Sequence, residues 1–148
     1  MRTFQFRLAT LLRLRQAVRD ERRGQLAEAL AAAAALSARL DELDRDLNQL
    51  KQQQTCRAGS LDLDRLLEAD RYEAMLRAQR AEVQRQRDAV AVEIDKRREA
   101  VVAADRDLKA LQQLEELQGK RHRAAEERQN VKELDETASR RAREKVHE

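Results

Sequence analysis

Leucines recur along the first third of the chain with the spacing of a coiled coil. Leu36, Leu40, Leu43, Leu47 and Leu50 are separated by four, three, four and three residues. This is the a/d repeat, which places all five side chains on one face of an α-helix. The pattern therefore predicts a long helix whose apolar stripe packs against a second helix.

Towards the N terminus the same frame meets three charged residues before it returns to leucine. These residues are Arg15, Arg19 and Arg22. Because three buried arginines on one seam would be costly, we favour a second frame through Leu11, Leu14 and Val18. A four-residue stutter then joins the two frames.

The repeat breaks once, over residues 52–60. Within this break Gly59 suits a left-handed turn position, and Ser60 suits the N-cap of a following helix. A second apolar seam follows, at residues Leu76, Val83, Val90, Ile94, Val101, Ala104, Leu108 and Leu111. The chain is therefore expected to turn once and continue as a second long helix.

Two long amphipathic helices joined by a short turn form an antiparallel hairpin. We predict an all-α fold, a long antiparallel two-helix coiled-coil hairpin that forms a single domain over residues 1–148. Leu26 is expected to face Val90, and roughly 30 residues of helix two then extend beyond helix one. The expected bounds are about residues 5–54 for helix one, about 55–60 for the turn and about 61–146 for helix two.

The composition agrees with long helices. The 148 residues include no proline and three glycines, 40% are charged, and 2% are aromatic. A sheet needs more β-branched and aromatic residues than this, and an enzyme needs loops to carry its site. The net charge of only +3 and the periodic leucines argue against disorder.

Catalytic and metal-binding patterns are absent from the sequence. There is no glycine-rich phosphate loop, His122 and His147 are far apart, and Cys56 has no neighbouring base. We therefore expect no enzyme activity, no catalytic residue, no metal and no cofactor. The longest apolar run, Ala29–Leu36, is far shorter than the ~20 residues of a membrane span. With one cysteine and no signal peptide, the sequence is typical of a cytoplasmic protein.

Basic residues are concentrated at the ends of the chain. Residues 1–24 carry seven arginines against Asp20 and Glu21, while the charges of residues 71–119 balance. Balanced charges indicate a solvated coiled-coil surface, but the basic end indicates a partner. Nucleic acid is disfavoured, because no aromatic residues are interleaved to stack on bases. An acidic protein surface is the expected partner.

Both ends of the chain carry short motifs. The sequence from Phe4 to Arg15 reads FQFRLATLLRLR, and near the other end Leu134-Asp135-Glu136 is followed by a small residue and arginines. Together with the length and the position of the turn, these motifs resemble the flagellar export protein FliJ family over the whole chain.

This resemblance implies a non-enzymatic, soluble component of the flagellar type III export apparatus. Family members form an antiparallel two-helix coiled coil similar to the γ subunit of rotary ATPases. The implied partners are the hexameric flagellar export ATPase, the cytoplasmic domain of the export-gate membrane protein, and export chaperones. The implied location is the cytoplasm, with peripheral association at the inner membrane through these partners, and the free chain is expected to be a monomer.

The family's gate-binding pattern is an aromatic residue followed by residues four, seven and eleven positions on. The matching positions here are Tyr72, Leu76, Gln79 and Val83, where Gln79 replaces the small residue of the pattern. The alternative is that these four residues are the core seam, because their spacings are also four, three and four. As contacts to the ATPase ring we expect the basic residues Arg13, Arg15, Arg19, Arg22, Arg23, Arg140, Arg141, Arg143 and Lys145.

Two other functions fit the same sequence. One is the stalk protein of a virulence-type secretion system, which resembles this family. The other is a structural coiled-coil adaptor or scaffold that dimerises through the C-terminal part of helix two. The number of chains bound to each ATPase hexamer distinguishes a stalk from a scaffold.

Overall fold

The computed structural model describes residues 4–56, 59 and 62–144. It contains two helices, α1 (Ala9–Cys56) and α2 (Leu63–Glu144), and no strand among the described residues. The prediction of an all-α helical hairpin is therefore confirmed. The proposed N-cap, Ser60, lies outside the described residues.

The chain divides into two compact units, and each contains part of both helices. We call Asp20–Val102 the central unit, and Met1–Arg19 with Ala103–Glu148 the terminal unit. In each unit a stretch of α1 packs against a stretch of α2, so each has its own small core.

The core of the central unit is built from the predicted seams. Ala29, Leu40 and Leu43 of α1 are buried, as are Leu76 and Ile94 of α2. Leu43 has no solvent exposure at all. The heptad spacing therefore identified the correct face of each helix in this unit.

Two polar contacts across the central unit show that its helices are antiparallel. The Arg80 guanidinium donates to the carboxylate of Asp44, with 2.5 Å between Nε and Oδ1. Further back along α1, the carbonyl oxygen of Gln25 accepts from Arg97, which lies further forward along α2. As the residue number falls along α1, the number of its partner on α2 rises, which shows that the two helices are antiparallel.

The expected pairing of Leu26 with Val90 is displaced. Gln25 contacts Arg97 instead, about two helical turns further along α2. Part of the offset arises because side chains on a helix lean towards its N terminus, so the Arg97 head group lies before its own Cα. The rest arises because α1 continues to Cys56, which moves the centre of the turn along the chain.

In the terminal unit, residues that precede α1 take part in the core. Phe6 is buried together with Ala104 and Leu108 of α2. The ring of Phe4 lies 5.6 Å from that of His122, centroid to centroid, with a tilt of 54°. Phe4 also contacts the backbone side of Gly119, where an added Cβ would lie 3.7 Å from Phe4 Cε1. Residues 4–8, which we call the N-terminal segment, therefore bury part of α2 that α1 itself does not reach.

The second frame predicted near the start of α1 is wrong at Leu14, whereas its other two residues, Leu11 and Val18, are half-buried. Leu14, which the second frame placed in the core, is 58% exposed. Arg15 lies at the edge of the interface instead, and its Nη1 is 3.0 Å from Oδ2 of Asp107. Its charge is not buried, because the Arg15 side chain is only half-buried and its guanidinium pairs with a carboxylate that is itself about half exposed.

Burial along α2 stops well before the helix ends. Glu126 is the last half-buried residue, and every described side chain from 127 to 143 is exposed. We call residues 127–143 the overhang. The sequence predicted such a stretch, and the N-terminal segment makes it shorter than α1 alone would leave it.

Candidate protein-binding surfaces

The four residues that match the gate-binding pattern lie on α2 within the central unit. Tyr72 and Gln79 are exposed, and Val83 is half-buried. Leu76 is only 3% exposed and belongs to the core. Leu76, and in part Val83, therefore belong to the core seam, as the alternative interpretation expected. Tyr72 and Gln79 lie on the surface.

The structure adds Met75, a residue that the sequence analysis did not single out. It is 47% exposed, although it directly precedes the buried Leu76. Met75 lies three residues after Tyr72 and four before Gln79, so the three side chains share one face of α2. The pattern carried over from the family includes Leu76 but not Met75. Met75 could have been identified from the sequence, because it follows Tyr72 by three residues and so lies on the same face of a helix.

The predicted ring contacts on α1 already take part in polar interactions. Arg15 pairs with Asp107, and the Arg22 guanidinium donates to Oε1 of Gln25 at 3.2 Å. Arg15 and Asp107 are both about half exposed, so their pairing is weak and exchangeable. These arginines therefore remain available to an acidic partner.

The remaining predicted ring contacts lie in the overhang. Arg140, Arg141 and Arg143 are exposed, and Arg140 Nη2 is 3.9 Å from Oε2 of Glu136. Lys145 lies outside the described residues. Three exposed guanidinium groups within four residues form a compact basic surface at this part of α2.

The two arginine groups do not form one basic surface in the terminal unit. Arg15 lies beside Asp107, and Arg140 follows Asp107 by 33 residues of continuous helix. At 1.5 Å per residue this separation is about 50 Å along α2.

Charged pairs on the two helices shift a few pKa values without bringing any into the neutral range. The hydrogen bond from Arg80 lowers the pKa of Asp44, and the hydrogen bond from Lys120 lowers the pKa of Glu116. Hydrogen bonds from Arg85 and Gln86 lower the pKa of Glu82. These shifts keep the carboxylates ionised, as expected for structural ion pairs rather than for general acids.

The described residues contain neither a metal-binding cluster nor a membrane-spanning stretch. In residues 4–56, 59 and 62–144, no group of three or more His, Cys, Asp or Glu side chains is placed to hold a metal ion. Over the same part of the chain, neither helix has a stretch sufficiently long and apolar to span a bilayer. Cys56 is an exposed free thiol at the end of α1.

Paired helices with exposed aromatic, thioether and guanidinium side chains define a coiled-coil protein that acts through its surfaces. The family model for the flagellar FliJ protein matches residues 4–147. The chain therefore belongs to the FliJ family and is a component of the flagellar protein export apparatus. No curated protein and no solved structure matches the chain.

Proposed function

We propose that this chain is the stalk of the flagellar export ATPase and links the ATPase ring to the export gate. It would act in the cytoplasm, held peripherally at the inner membrane by these two partners, with export chaperones as further clients. Family membership supports a place in the export apparatus. The overhang is the observation that carries the stalk role.

The overhang suits insertion into a ring because its whole circumference is exposed. A single helix is about 10–12 Å in diameter with its side chains, and a helix pair is wider. Residues 127–143 therefore offer the narrowest part of the described chain, with arginines at its end. Arg15, which lies beside Asp107 and so about 50 Å from Arg140 along α2, would contact the ring at a different depth.

Arginines suit such a contact because guanidinium groups pair readily with the carboxylates of a ring lining. At exposed sites each pair is weak, so one can be exchanged for the next. The attraction also steers association, and this effect falls as salt screens it. Stimulation of the ATPase should therefore be strong at low ionic strength and much weaker near ~0.5 M salt.

The ring contact can be tested by charge reversal in the full chain. Replacing Arg140, Arg141 and Arg143 with Glu should abolish stimulation of the purified export ATPase at low salt. The matched control reverses three exposed arginines of the central unit, Arg85, Arg87 and Arg98, which changes the net charge equally. A second variant reverses the α1 residues Arg19, Arg22 and Arg23, and should also abolish stimulation.

Each outcome decides one part of the proposal. Full stimulation by both reversed variants would remove the stalk role. Loss in the overhang variant alone would show that the α1 arginines are a solvated face. One chain per ATPase hexamer in native mass spectrometry supports a stalk, whereas two chains bound to two ATPase subunits would establish the scaffold alternative.

The gate contact is proposed through the exposed face of α2 that contains Tyr72, Gln79 and Val83. Met75 extends this face, while Leu76 holds α2 against α1 beneath it. Aromatic contacts near the centre of an interface carry much of its binding energy. Tyr72→Ala should therefore weaken binding to the purified cytoplasmic domain of the gate by roughly tenfold.

A smaller loss is expected for Met75→Ala in the same titration. Val92→Ala is the control, since Val92 is an exposed apolar residue elsewhere on α2. Circular dichroism should be unchanged for all three variants. Unfolding of the Tyr72→Ala variant, or wild-type binding by it, would remove Tyr72 from the contact.

A further inference from the structure

The overhang carries apolar side chains that the rest of the described chain leaves exposed. Val131, Leu134 and Ala138 are separated by three and four residues, so they share one face of α2. Val131 is 55% exposed and Leu134 is 68% exposed. We call these three residues the overhang stripe.

The overhang stripe lies on a different side of α2 from the part that the N-terminal segment contacts. At 100° per residue, Val131 and Leu134 lie roughly 180° and 120° around the helix from His122. The ring of Phe4 packs on His122. A helix that lies along the overhang stripe therefore does not displace the N-terminal segment.

Charged residues lie at both ends of the overhang stripe and along one edge of it. Heptad numbering with Val131 at position a puts Glu127 and Arg141 at the d positions that flank the stripe. It puts Arg128 and Asp135 at the e positions beside the stripe. All four charged side chains are exposed. They are therefore the charges that a helix packed on the stripe would meet.

A parallel pairing of two overhangs is unfavourable. In such a pair each seam residue meets its own copy, so Glu127 lies against Glu127 and Arg141 lies against Arg141. At the edge of the seam, Arg128 lies beside Arg123 of the second copy. Like charges placed together oppose association. The overhang is therefore unsuited to a parallel dimer.

An antiparallel pairing brings opposite charges together. With the twofold axis between residues 132 and 133, Val131 packs on Leu134 of the second copy. Arg128 then lies near Asp135 of the second copy, since e positions face each other across an antiparallel seam. Each of these contacts occurs twice, because the interface is symmetric. The charges beside the stripe are therefore complementary to themselves.

The same charges select one register of the antiparallel pair. A shift by one heptad in one direction places Asp135 beside Asp135 of the second copy. A shift in the other direction places Arg128 beside Arg128 of the second copy. Of these three registers, only the central one joins Arg128 to Asp135. It also brings Glu127 within one helical turn of Arg141 of the second copy.

We propose that the overhangs of two free chains pair in this antiparallel register. The partner is a second copy of the chain, because the charges that border the stripe complement themselves. This differs from the monomer expected from the sequence. Arg141 takes part both in this pairing and in the proposed ring contact, so the two exclude each other and the pair stores the chain until the ATPase ring binds it. The storage role rests on the proposed stalk function, whereas the pairing itself does not.

Other polar contacts of the overhang are compatible with this pairing. Gln129 Nε2 donates to Oε1 of Glu133 at 3.2 Å, and Arg140 pairs with Glu136. These four residues lie at c and f positions, which face away from the seam of a helix pair. An interface between two helices of this length falls in the class below ~1,200 Å², which is typical of weak and transient complexes. The pair should therefore dissociate readily.

The pairing is tested first on the free full chain, without any ATPase. Sedimentation equilibrium should show a reversible monomer–dimer transition at a concentration on the order of 0.1 mM. Leu134→Gln should weaken dimerisation by about tenfold or more, with unchanged helicity. The matched control is Leu63→Gln, at a leucine that is also 68% exposed but lies in the central unit. This control should dimerise as the wild type does.

Charge variants test the register and the orientation. Arg128→Asp and Asp135→Arg should each prevent dimerisation, because each puts like charges together. An equimolar mixture of the two variants should form a heterodimer, since opposite charges then meet again at both contacts. In a parallel pair, Arg128→Asp would instead strengthen dimerisation, because residue 128 lies beside Arg123 there. That result would overturn the proposal.

The controls for these variants make the same charge changes at outward positions. Lys132→Asp and Glu133→Arg alter exposed residues of the overhang that face away from the stripe. Both should leave dimerisation within about twofold of the wild type. Equal losses in the controls and in the variants at residues 128 and 135 would indicate a general charge effect and would overturn the register.

Failure of the pairing can be distinguished from failure of the stalk. A wild type that stays monomeric at ~1 mM, or a Leu134→Gln variant that dimerises normally, would show that the pairing is wrong, whatever the ring does. If the chain dimerises but does not bind the ATPase ring, the stalk is wrong and the pairing stands. If the ring binds the intact dimer, the two contacts do not exclude each other and the storage role is wrong.

Discussion

Two consecutive stretches of α2 in the terminal unit both carry apolar residues at helical spacing but have different surroundings. In residues 103–126, Ala104 and Leu108 are buried against α1 and the N-terminal segment. In residues 127–143, Val131 and Leu134 are exposed, Leu134 to 68%. Heptad spacing indicates the apolar face of a helix, but the length of the partner decides whether that face is buried.

The strongest test of this comparison substitutes one leucine in each stretch. Leu108→Ala should lower the free energy of unfolding by about 2–4 kcal/mol, because it removes buried methyl groups and leaves a cavity. Leu134→Ala should change it by less than about 0.5 kcal/mol. Urea titration followed by circular dichroism measures both, and equal costs would mean that the overhang is packed after all.

Removing a residue that packs on α2 should make residues 103–126 more exposed, as residues 127–143 already are. Phe6→Ala takes away the buried ring that precedes α1 and should cost about 2 kcal/mol, less than a ring in a deep core. Because loss of the Phe6 anchor should also release Phe4 from Gly119 and His122, hydrogen exchange should quicken at these two residues, while the overhang keeps its wild-type rates. Unchanged exchange near Gly119 would show that the N-terminal segment does not protect α2.

Alanine substitutions at two glycines distinguish packing against the N-terminal segment from intrinsic helix propensity, because Gly119 faces Phe4 and Gly24 faces open space. Gly24→Ala meets open space, so it should stabilise the chain by about 0.5–1 kcal/mol through propensity alone. Gly119→Ala should gain as much or slightly more, because its Cβ would meet the Phe4 ring at an ordinary contact distance. Thermal unfolding measures both, and a destabilised Gly119→Ala variant would show that Phe4 needs the bare backbone.

The smallest expected effect concerns a charge pair that joins the helices of the central unit. The hydrogen bond from Arg80 holds the pKa of Asp44 below its ordinary value of 3.8. Its contribution is therefore complete above this pH and disappears as the pH falls through the lower pKa of the folded state. Asp44→Asn should have a lower melting temperature than the wild type at pH 7, and the difference should vanish once the pH falls below the folded-state pKa of Asp44. A difference that persists at the acidic end would mean that the carboxylate charge is not its source.

Periodicity predicted the parts of this fold that depend on which side of a helix is apolar. Leu43, Leu76 and Leu108 lie in the core where their spacing placed them. Periodicity could not predict which residues of α1 face which residues of α2, because a repeat every 3.5 residues allows pairing at several offsets. Phe6 was missed as a core residue because it lies outside the helices, where helical spacing has no meaning.

Side-chain reach explains the other differences. The rule that arginine is too costly to bury argued against Arg15 at the interface, but Arg15 is half-buried there with its charge still exposed beside Asp107. At the gate-contact face, a pattern transferred by position selected Leu76 and passed over its neighbour Met75. In both cases the outcome depends on where the side-chain atoms lie, which the position of a residue in the sequence does not give.

The continuity of α2 has a consequence for how the overhang melts. An isolated helix of this length must first form a costly nucleus and is marginal in water. The overhang needs no nucleus, since it grows from a helix that packing already holds in place. It should therefore fray residue by residue from its C-terminal side as temperature rises, rather than unfold with the core. A probe in the overhang would then show a gradual loss of helix before the cooperative transition that a probe at Leu108 reports.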